Sequence, residues 1–455
     1  MSVKLEYLAQ KYSVPVPRYT SYPTVPYWDN EDFTSLSWID AVKKSLQLSN
    51  LNQGISLYIH LPYCESLCTY CGCNTRITKN HLKEEPYIKA VLQEWQHYKR
   101  EFSQKPQIKE LHLGGGTPTF FSPENLKTLI EGILADCTLH HYAEFSFEAH
   151  PANTTSEHLK TLYLLGFKRL SLGIQDFDIK VQEIINRPQT YQQVAEVTIN
   201  ARSLGYTSIN YDLIYGLPLQ SIEGLTTTIH KVIALKPNRI AFYNYAHVPW
   251  IKPGQRKFTE ADLPDTVAKQ ALYELGRQLF IGAGYHEIGM DHFALETDSL
   301  YLAQQSGHLH RNFMGYTHQY TQLMIGLGVS SISDIGFAFA QNVKTVEAYF
   351  ELIKKGELAV FKGHFLNGTD LLMRKHILNI ICNGHTSWDK IDLLNHDFKA
   401  CLLQLHDLVT DGLITMETHS LHVTRIGQRY LRNICAAFDA RLQANLPEKQ
   451  VFSNG

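Results

Sequence analysis

The sequence predicts an α/β fold: an open, three-quarter barrel of six βα units, with an N-terminal arm before it and a mostly helical C-terminal domain after it. Three observations carry that expectation. Apolar, β-rich runs alternate six times with helix-patterned segments, which implies a parallel sheet with right-handed crossovers. Six units are too few for the usual eight-stranded closed barrel. Past about residue 340 the alternation gives way to helices. The expected divisions are 1–50 for the arm, 51–340 for the barrel and 341–455 for the C-terminal domain.

In chain order, PRYTSYPT (Pro17 to Thr24) combines two prolines, an arginine and two tyrosines without helical or strand period, so it should run extended. The strand-like runs are Ser56 to Leu61, Ile108 to Leu113, Glu144 to Phe147, Arg169 to Ile174, Ser208 to Ile214 and Arg239 to Tyr243. Between the second and third, Pro123 to Cys137 carries helix signals: Ser122 as N-cap, Pro123 at the first helical position, Glu124 in the first turn, and Leu126, Leu129, Ile130, Ile133 and Leu134 on one face. Gly166 and Gly205 follow the next two helices as left-handed caps would. In the C-terminal domain one segment, LITMETHSLHVTR (Leu413 to Arg425), reads as a hairpin.

Bulk properties narrow the function classes. With 455 residues, 44% of them apolar, the chain can bury a sizeable core. A net charge of -2 gives no general attraction to nucleic acid or anionic membranes, so an anionic substrate must be held by local basic residues. The opening MSVKLEYLAQKYS lacks a charged start followed by an unbroken apolar region, and no stretch approaches the ~18 apolar residues of a membrane span. We therefore expect a cytoplasmic chain with no nucleic-acid or membrane partner, acting as a monomer. Clustered cysteines fit a reducing compartment, and Cys137, Cys382, Cys401 and Cys435 stand alone on helix-patterned segments as unpaired thiols. The 22 histidines form no HxxxH pair beside a carboxylate, and the 25 Tyr and 21 Phe read chiefly as core.

The chemistry is signalled by CESLCTYCGC, directly after the first strand, with Cys64, Cys68, Cys71 and Cys73. Thiolates three and two residues apart on a loop can turn toward one soft centre, an iron-sulfur cluster, zinc or cuprous copper. Zinc sites usually use two CxxC-like pairs or cysteines with HxxxH, and no second cysteine pair exists here. Ferredoxins repeat CxxCxxC and add a fourth cysteine from a distance. The spacing here is CxxxCxxC. Three ligands on a [4Fe-4S] cube leave one iron open to a reacting ligand.

At these residues the sequence resembles the radical S-adenosylmethionine (SAM) enzymes, in which SAM chelates the open iron through its amine and carboxylate. The fourth cysteine in IHLPYCESLCTYCGCN, with PRYTSYPT, LHLGGGTPT (Leu111 to Thr119), NYDLIYGLP (Asn210 to Pro218), YNYAHVP (Tyr243 to Pro249), GMDHFA (Gly289 to Ala294) and HRNFMGYT (His310 to Thr317), is similar to the oxygen-independent coproporphyrinogen III oxidase (dehydrogenase) family of haem biosynthesis. The resemblance covers nearly the whole chain and implies the radical SAM form of the open barrel. Related haem-trafficking proteins and haem methyltransferases generally lack the fourth cysteine, the PRYTSYPT arm and the HRNFMGYT phrase. A plain electron carrier would want a fully ligated centre.

Ligands of parallel α/β folds sit at the carboxyl ends of the strands, and each motif here follows a strand. Gly114, Gly115, Gly116 and Thr117 follow the second and let backbone approach a ligand with no Cβ in the way. They lack the spacing of phosphate loops. Glu148 ends the third strand, Gln175 and Asp176 follow the fourth, and Asp212 interrupts an apolar fifth, where a buried carboxylate is costly unless paired or at a mouth. The resemblance implies that Cys64, Cys68 and Cys71 bind one [4Fe-4S] cluster. It further implies that Tyr58, Gly115, Glu148 and Ile332 contact the cluster-bound SAM, and that Tyr70, Gly116, Thr117, Gln175, Arg187, Asp212 and Ala246 surround a second SAM. One departure is Ala149-His150-Pro151 after Glu148, where relatives commonly carry an acidic residue before the proline. Cys73 would have to displace SAM to bind the fourth iron.

The implied reaction begins when an electron from the reduced cube cleaves SAM to methionine and a 5′-deoxyadenosyl radical. That radical removes a hydrogen from the β-carbon of a propionate of coproporphyrinogen III, and loss of carbon dioxide and one electron leaves a vinyl group. Two propionates react, giving protoporphyrinogen IX, with an electron donor and acceptor that the residues do not name. Four substrate carboxylates call for arginines, and Arg18 and Arg311 are the candidates.

Overall fold

Period-two alternation builds the sheet. The computed structural model describes residues 3–445 and 451–453, and its strands are β1 (Ile55–Leu61), β2 (Gln107–Gly115), β3 (Thr138–Ala149), β4 (Phe167–Gln175), β5 (Ser208–Tyr215) and β6 (Arg239–Asn244), followed by β7 (His286–Ile288), β8 (His292–Ala294), β9 (Leu323–Leu327), β10 (Ile332–Asp334), β11 (Ala338–Asn342) and β12 (Val360–Phe365). They form one 12-stranded sheet in the order β12-β11-β10-β9-β1-β2-β3-β4-β5-β6-β8-β7. Strands β9 and β1 to β6 run parallel, and the strands beyond them on both sides are antiparallel. The ends of this sheet do not pair with each other, so the barrel is open, as the sequence predicts.

On one face Leu111, Phe145, Leu170, Tyr211, Leu213, Ile240 and Phe242 are buried in the main core. On the other, Glu148, Ser171, Asn210 and Arg239 lie across from one another in the strand register, as do Gly173 and Asp212. A polar lumen under an apolar shell is what side chains alternating across a pleated sheet produce.

The helices cap as the sequence indicates. Ser122 accepts from the Asn125 amide at the start of the helix Pro123–Leu134, where Leu126, Leu129, Ile130 and Ile133 are buried. That helix stops at Leu134, short of Cys137, because Asp136 turns to a φ of 61°. Gly205, at a φ of 100°, closes Tyr191–Leu204 with its amide on the Ala201 and Arg202 carbonyls.

Two expected boundaries move. The N-terminal 1–50 is not all arm: Ser35–Gln53 is a helix with a capping box at Thr34, and its Trp38, Val42 and Leu46 are buried in the main core. A helix also spans Val3–Lys11, so the extended arm is confined to the stretch between them, which the prolines keep out of regular structure. At the other end, residue 340 falls inside β11, and the sheet continues to Phe365 because β10 to β12 extend it antiparallel. Beyond lie helices such as Gly368–Asn383 and Leu431–Ala436, and the hairpin of Ile414–Met416 with Ser420–Val423, which gains a third strand, His385–Ser387.

The C-terminal helices share a second core with the arm. Leu8, Tyr12, Tyr19 and Tyr22 are buried against Ile377, Leu431 and Phe438. The Tyr12 hydroxyl donates to Asp411 at 2.6 Å, the Tyr19 hydroxyl to Asp439 at 3.2 Å, and Arg432 Nε to the Pro17 carbonyl at 3.1 Å.

Candidate active site

The cysteine loop leaves β1 and is pinned at both ends. Tyr63–Cys64 pairs in parallel with Arg76–Ile77, and the Cys71 amide donates to the Cys68 carbonyl at 3.1 Å. Cys64, Cys68 and Cys71 are half-buried free thiols facing a cavity of about 510 Å³, and Cys73 is exposed beside them. Cys64 Sγ lies 3.4 Å from Thr117 Oγ1, and Arg187 Nη1 donates to Cys68 Sγ at 3.5 Å.

The glycine run forms the shelf opposite. Gly116 donates to the Leu61 carbonyl at 2.8 Å and Thr117 to the Tyr63 carbonyl at 3.0 Å. A Cβ on Gly116 would stand 2.6 Å from the Pro62 oxygen, and one on Gly115, whose φ is 114°, would meet the His60 ring at 2.8 Å. Only glycine fits both positions. The Gly115 amide donates to Glu148 Oε2 at 3.3 Å, and His112 Nε2 lies 3.5 Å from Glu148 Oε1.

Across the cavity stand Gln175, Arg187 and Asp212. Gln175 adopts a φ of 64°, an uncommon conformation for a side-chain-bearing residue and one found at functional sites. Asp212 accepts from Ser171 Oγ at 3.1 Å and Asn210 Nδ2 at 2.8 Å. Burial, with the charge of Glu148 adding to it, pushes its pKa up to about 6. Arg187 spends Nη2 on the Gly173 carbonyl at 2.7 Å, and its Nε is buried without a partner. Position 150 holds a histidine that burial, with Arg187 beside it, pushes down to about 3; its ring caps the Ala152 amide at 3.1 Å.

The structure gathers Tyr70, Gly115, Gly116, Thr117, Glu148, Gln175, Arg187 and Asp212 with the three cysteines on this one cavity. Three other candidates lie outside its lining. Tyr58 stacks on His112 at 5.9 Å and reaches His60 Nδ1 at 3.1 Å, so it buttresses the shelf from behind. Ala246 and Tyr70 are tied through their carbonyls to Gln255 Nε2, at 3.2 and 3.1 Å. Ile332 pairs with Gln341 in the antiparallel extension.

Arg18 reaches the barrel mouth from the arm. It donates to the Asn244 carbonyl and lies 5.7 Å over the ring of Tyr243, which lines both the cluster cavity and a smaller lumen cavity of about 140 Å³. Arg311 lines neither: it is buried 3.9 Å from Asp291 and 4.5 Å over the Tyr316 ring. The sequence places Tyr243 at the end of the sixth strand and at the start of YNYAHVP but does not single it out as a site residue.

Comparison with known proteins places the chain in a family. The profile of the radical SAM superfamily matches residues 58–232. The oxygen-independent coproporphyrinogen III oxidase of Escherichia coli is 38% identical over 96% of this chain and 95% of its own length. That of Helicobacter pylori is 39% identical over 95% and 96%. The chain belongs to the oxygen-independent coproporphyrinogen III oxidase family of radical SAM enzymes. Its fold agrees with the solved structure of the Escherichia coli coproporphyrinogen III oxidase, described as a radical SAM enzyme, with a TM-score of 0.87 at 37% identity, covering 93% of this chain and 97% of that one.

Membership in the family implies a [4Fe-4S] cluster and SAM, and the residues present fit both. Three thiols line one cavity, an open shelf of glycine backbone faces them, and a buried guanidinium nitrogen beside Cys68 awaits an acceptor. No described helix is long and apolar enough to cross a membrane.

Proposed function

We propose that this chain catalyses the oxygen-independent oxidative decarboxylation of two propionate side chains of coproporphyrinogen III to vinyl groups, giving protoporphyrinogen IX. The observation that carries it is the meeting, at one barrel mouth, of a three-thiol cavity and an arginine delivered by the PRYTSYPT arm. When bound, the cluster supplies one electron and SAM the 5′-deoxyadenosyl radical that removes a substrate hydrogen. The chain's residues bind, aim and shield.

Cys64, Cys68 and Cys71 would hold the cube. Gly115 and Glu148 stand where the amino group of a first SAM can donate, and Asp212 and Arg187 where the ribose hydroxyls and carboxylate of a second can be received. Arg18 pairs with a substrate propionate. Residues 12–34 cover the site, and the chain acts as a monomer whose own arm completes its mouth. Each propionate gives up two electrons, one with the hydrogen and one afterwards, so a one-electron donor and an acceptor are required partners. Eight free cysteines fit the reducing cytoplasm.

The test is anaerobic turnover of coproporphyrinogen III by cluster-reconstituted protein with SAM and a reductant. Protoporphyrinogen IX, methionine and 5′-deoxyadenosine are the expected products. SAM cleavage with methylated or unchanged tetrapyrrole would overturn the reading.

A further inference from the structure

Besides the cluster cavity, the structure holds a second large hollow of about 430 Å³, between the outer face of the sheet at the ends of β5 and β6, the helix Thr266–Gly282, and the place where the arm meets Arg429 and Tyr430. Its wall leaves polar groups unsatisfied. Asn244 Oδ1, Gln270 Nε2, Arg429 Nη1 and the Tyr430 hydroxyl are buried atoms without hydrogen-bond partners, and all four residues line the hollow. Tyr430 is only 7% exposed. Buried donors and acceptors in folded proteins are nearly always matched; three of these four, Gln270 Nε2, Arg429 Nη1 and the Tyr430 hydroxyl, can donate and so call for an acceptor, while Asn244 Oδ1 can only accept.

The charge is one-sided at the inner end. Lys269 Nζ donates to the Tyr245 carbonyl at 3.2 Å and has no carboxylate partner among the described residues. Burial, then the positive charges of Arg432 and Arg18, lower its pKa to about 8, so cations are gathered there against their own repulsion. Arg429 spends one nitrogen on Glu274 at 2.8 Å and keeps the other free. The acidic residues of the lining, Glu260 and Asp265, are exposed at its outer edge. An ammonium, a guanidinium nitrogen, an amide and a phenol make a donor set for a carboxylate.

We propose that this hollow is a carboxylate subsite that receives a propionate of the tetrapyrrole other than the one that reacts. The proposal rests on the substrate assigned above. Arg18 links the two places: it lies over Tyr243 of the cluster cavity and donates to the carbonyl of Asn244, whose side chain lines the hollow. A ligand with four carboxylates spread around its ring can engage both sides of Arg18 at once.

The experiment is fluorescence titration of cluster-reconstituted, anaerobic protein with coproporphyrin III, the oxidised and unreactive form of the substrate, and with its tetramethyl ester. Lys269→Met should weaken coproporphyrin III binding roughly tenfold or more and leave the ester, SAM binding and cluster absorbance unchanged. Tyr430→Phe, which removes one oxygen, should weaken it several-fold and guards against a Lys269 variant that misfolds. Wild-type affinity for coproporphyrin III in Tyr430→Phe and in folded Lys269→Met, or a loss confined to SAM binding, would overturn the subsite. If wild-type protein turns over coproporphyrinogen III while the variants bind normally, the subsite alone fails; if it does not turn over at all, the parent reading fails.

Discussion

Arg187 donates through Nη1 to the sulfur of Cys68 at 3.5 Å, so one guanidinium joins the helical turn after the fourth strand to the cysteine loop. It is not paired with Asp212, and no carboxylate among the described residues bridges it; its other contact is a backbone carbonyl. Two opposite charges held at the same cavity without neutralising each other leave both available to a ligand.

Equilibrium binding of SAM to anaerobically reconstituted protein should therefore approach two per chain. Asp212→Asn should bring it toward one while the cluster-bound molecule remains. A stoichiometry of one in unmodified protein with substrate present would return these residues to the scaffold.

Replacing Cys68 with Ser should abolish the cluster's visible absorbance and turnover, whereas Cys73→Ser should retain the absorbance, because Cys73 is the exposed member of the four. Normal cluster content in Cys68→Ser would sink the ligand assignment.

Arg18→Ala should lower kcat/KM for coproporphyrinogen III by about ten- to a hundredfold, the worth of a hydrogen bond to a charged group, with cluster content and SAM binding intact. Wild-type turnover at subsaturating substrate would make the arm a structural strap.

Asp439 anchors the arm through Tyr19, and burial raises its pKa from 3.8 to about 6. A carboxyl that ionises more readily unfolded than folded contributes stability fully present below about pH 4 and lost as pH rises through about 6. The loss is about 3 kcal/mol by linkage. Asp439→Asn keeps a cap acceptor for Leu442 and a donor for the tyrosine oxygen, so the gap between wild-type and variant denaturation midpoints should shift across that window. Parallel pH profiles would contradict the assignment.

The six barrel strands were legible because each carries a β-rich run closed by a chemically marked loop. Strand β9, LMIGL, was not, since four apolar residues and a glycine carry no period. The helix Ser35–Gln53 was not legible either, because Leu36, Leu48 and Leu51 are exposed and blur the apolar stripe that Trp38, Val42 and Leu46 bury. Within the site, the motifs that end strands line one cavity. Tyr58 and Ala246 lie outside its lining and meet neighbours of it, His112 and Gln255, while Ile332 pairs with Gln341 in the antiparallel extension. The carboxylate-poor hollow was invisible, since its wall draws on residues from Ala9 to Ser453 and no local pattern connects them.

The arm's anchors have a temporal meaning. Tyr12 waits for Asp411 and Tyr19 for Asp439, partners roughly four hundred residues downstream. A chain that ends short of those positions has every barrel strand and all four loop cysteines, and its arm keeps only barrel contacts such as Arg18 on the Asn244 carbonyl and Trp28 on Phe339. The last stretch of chain to be made thus supplies the tyrosine anchors of the first.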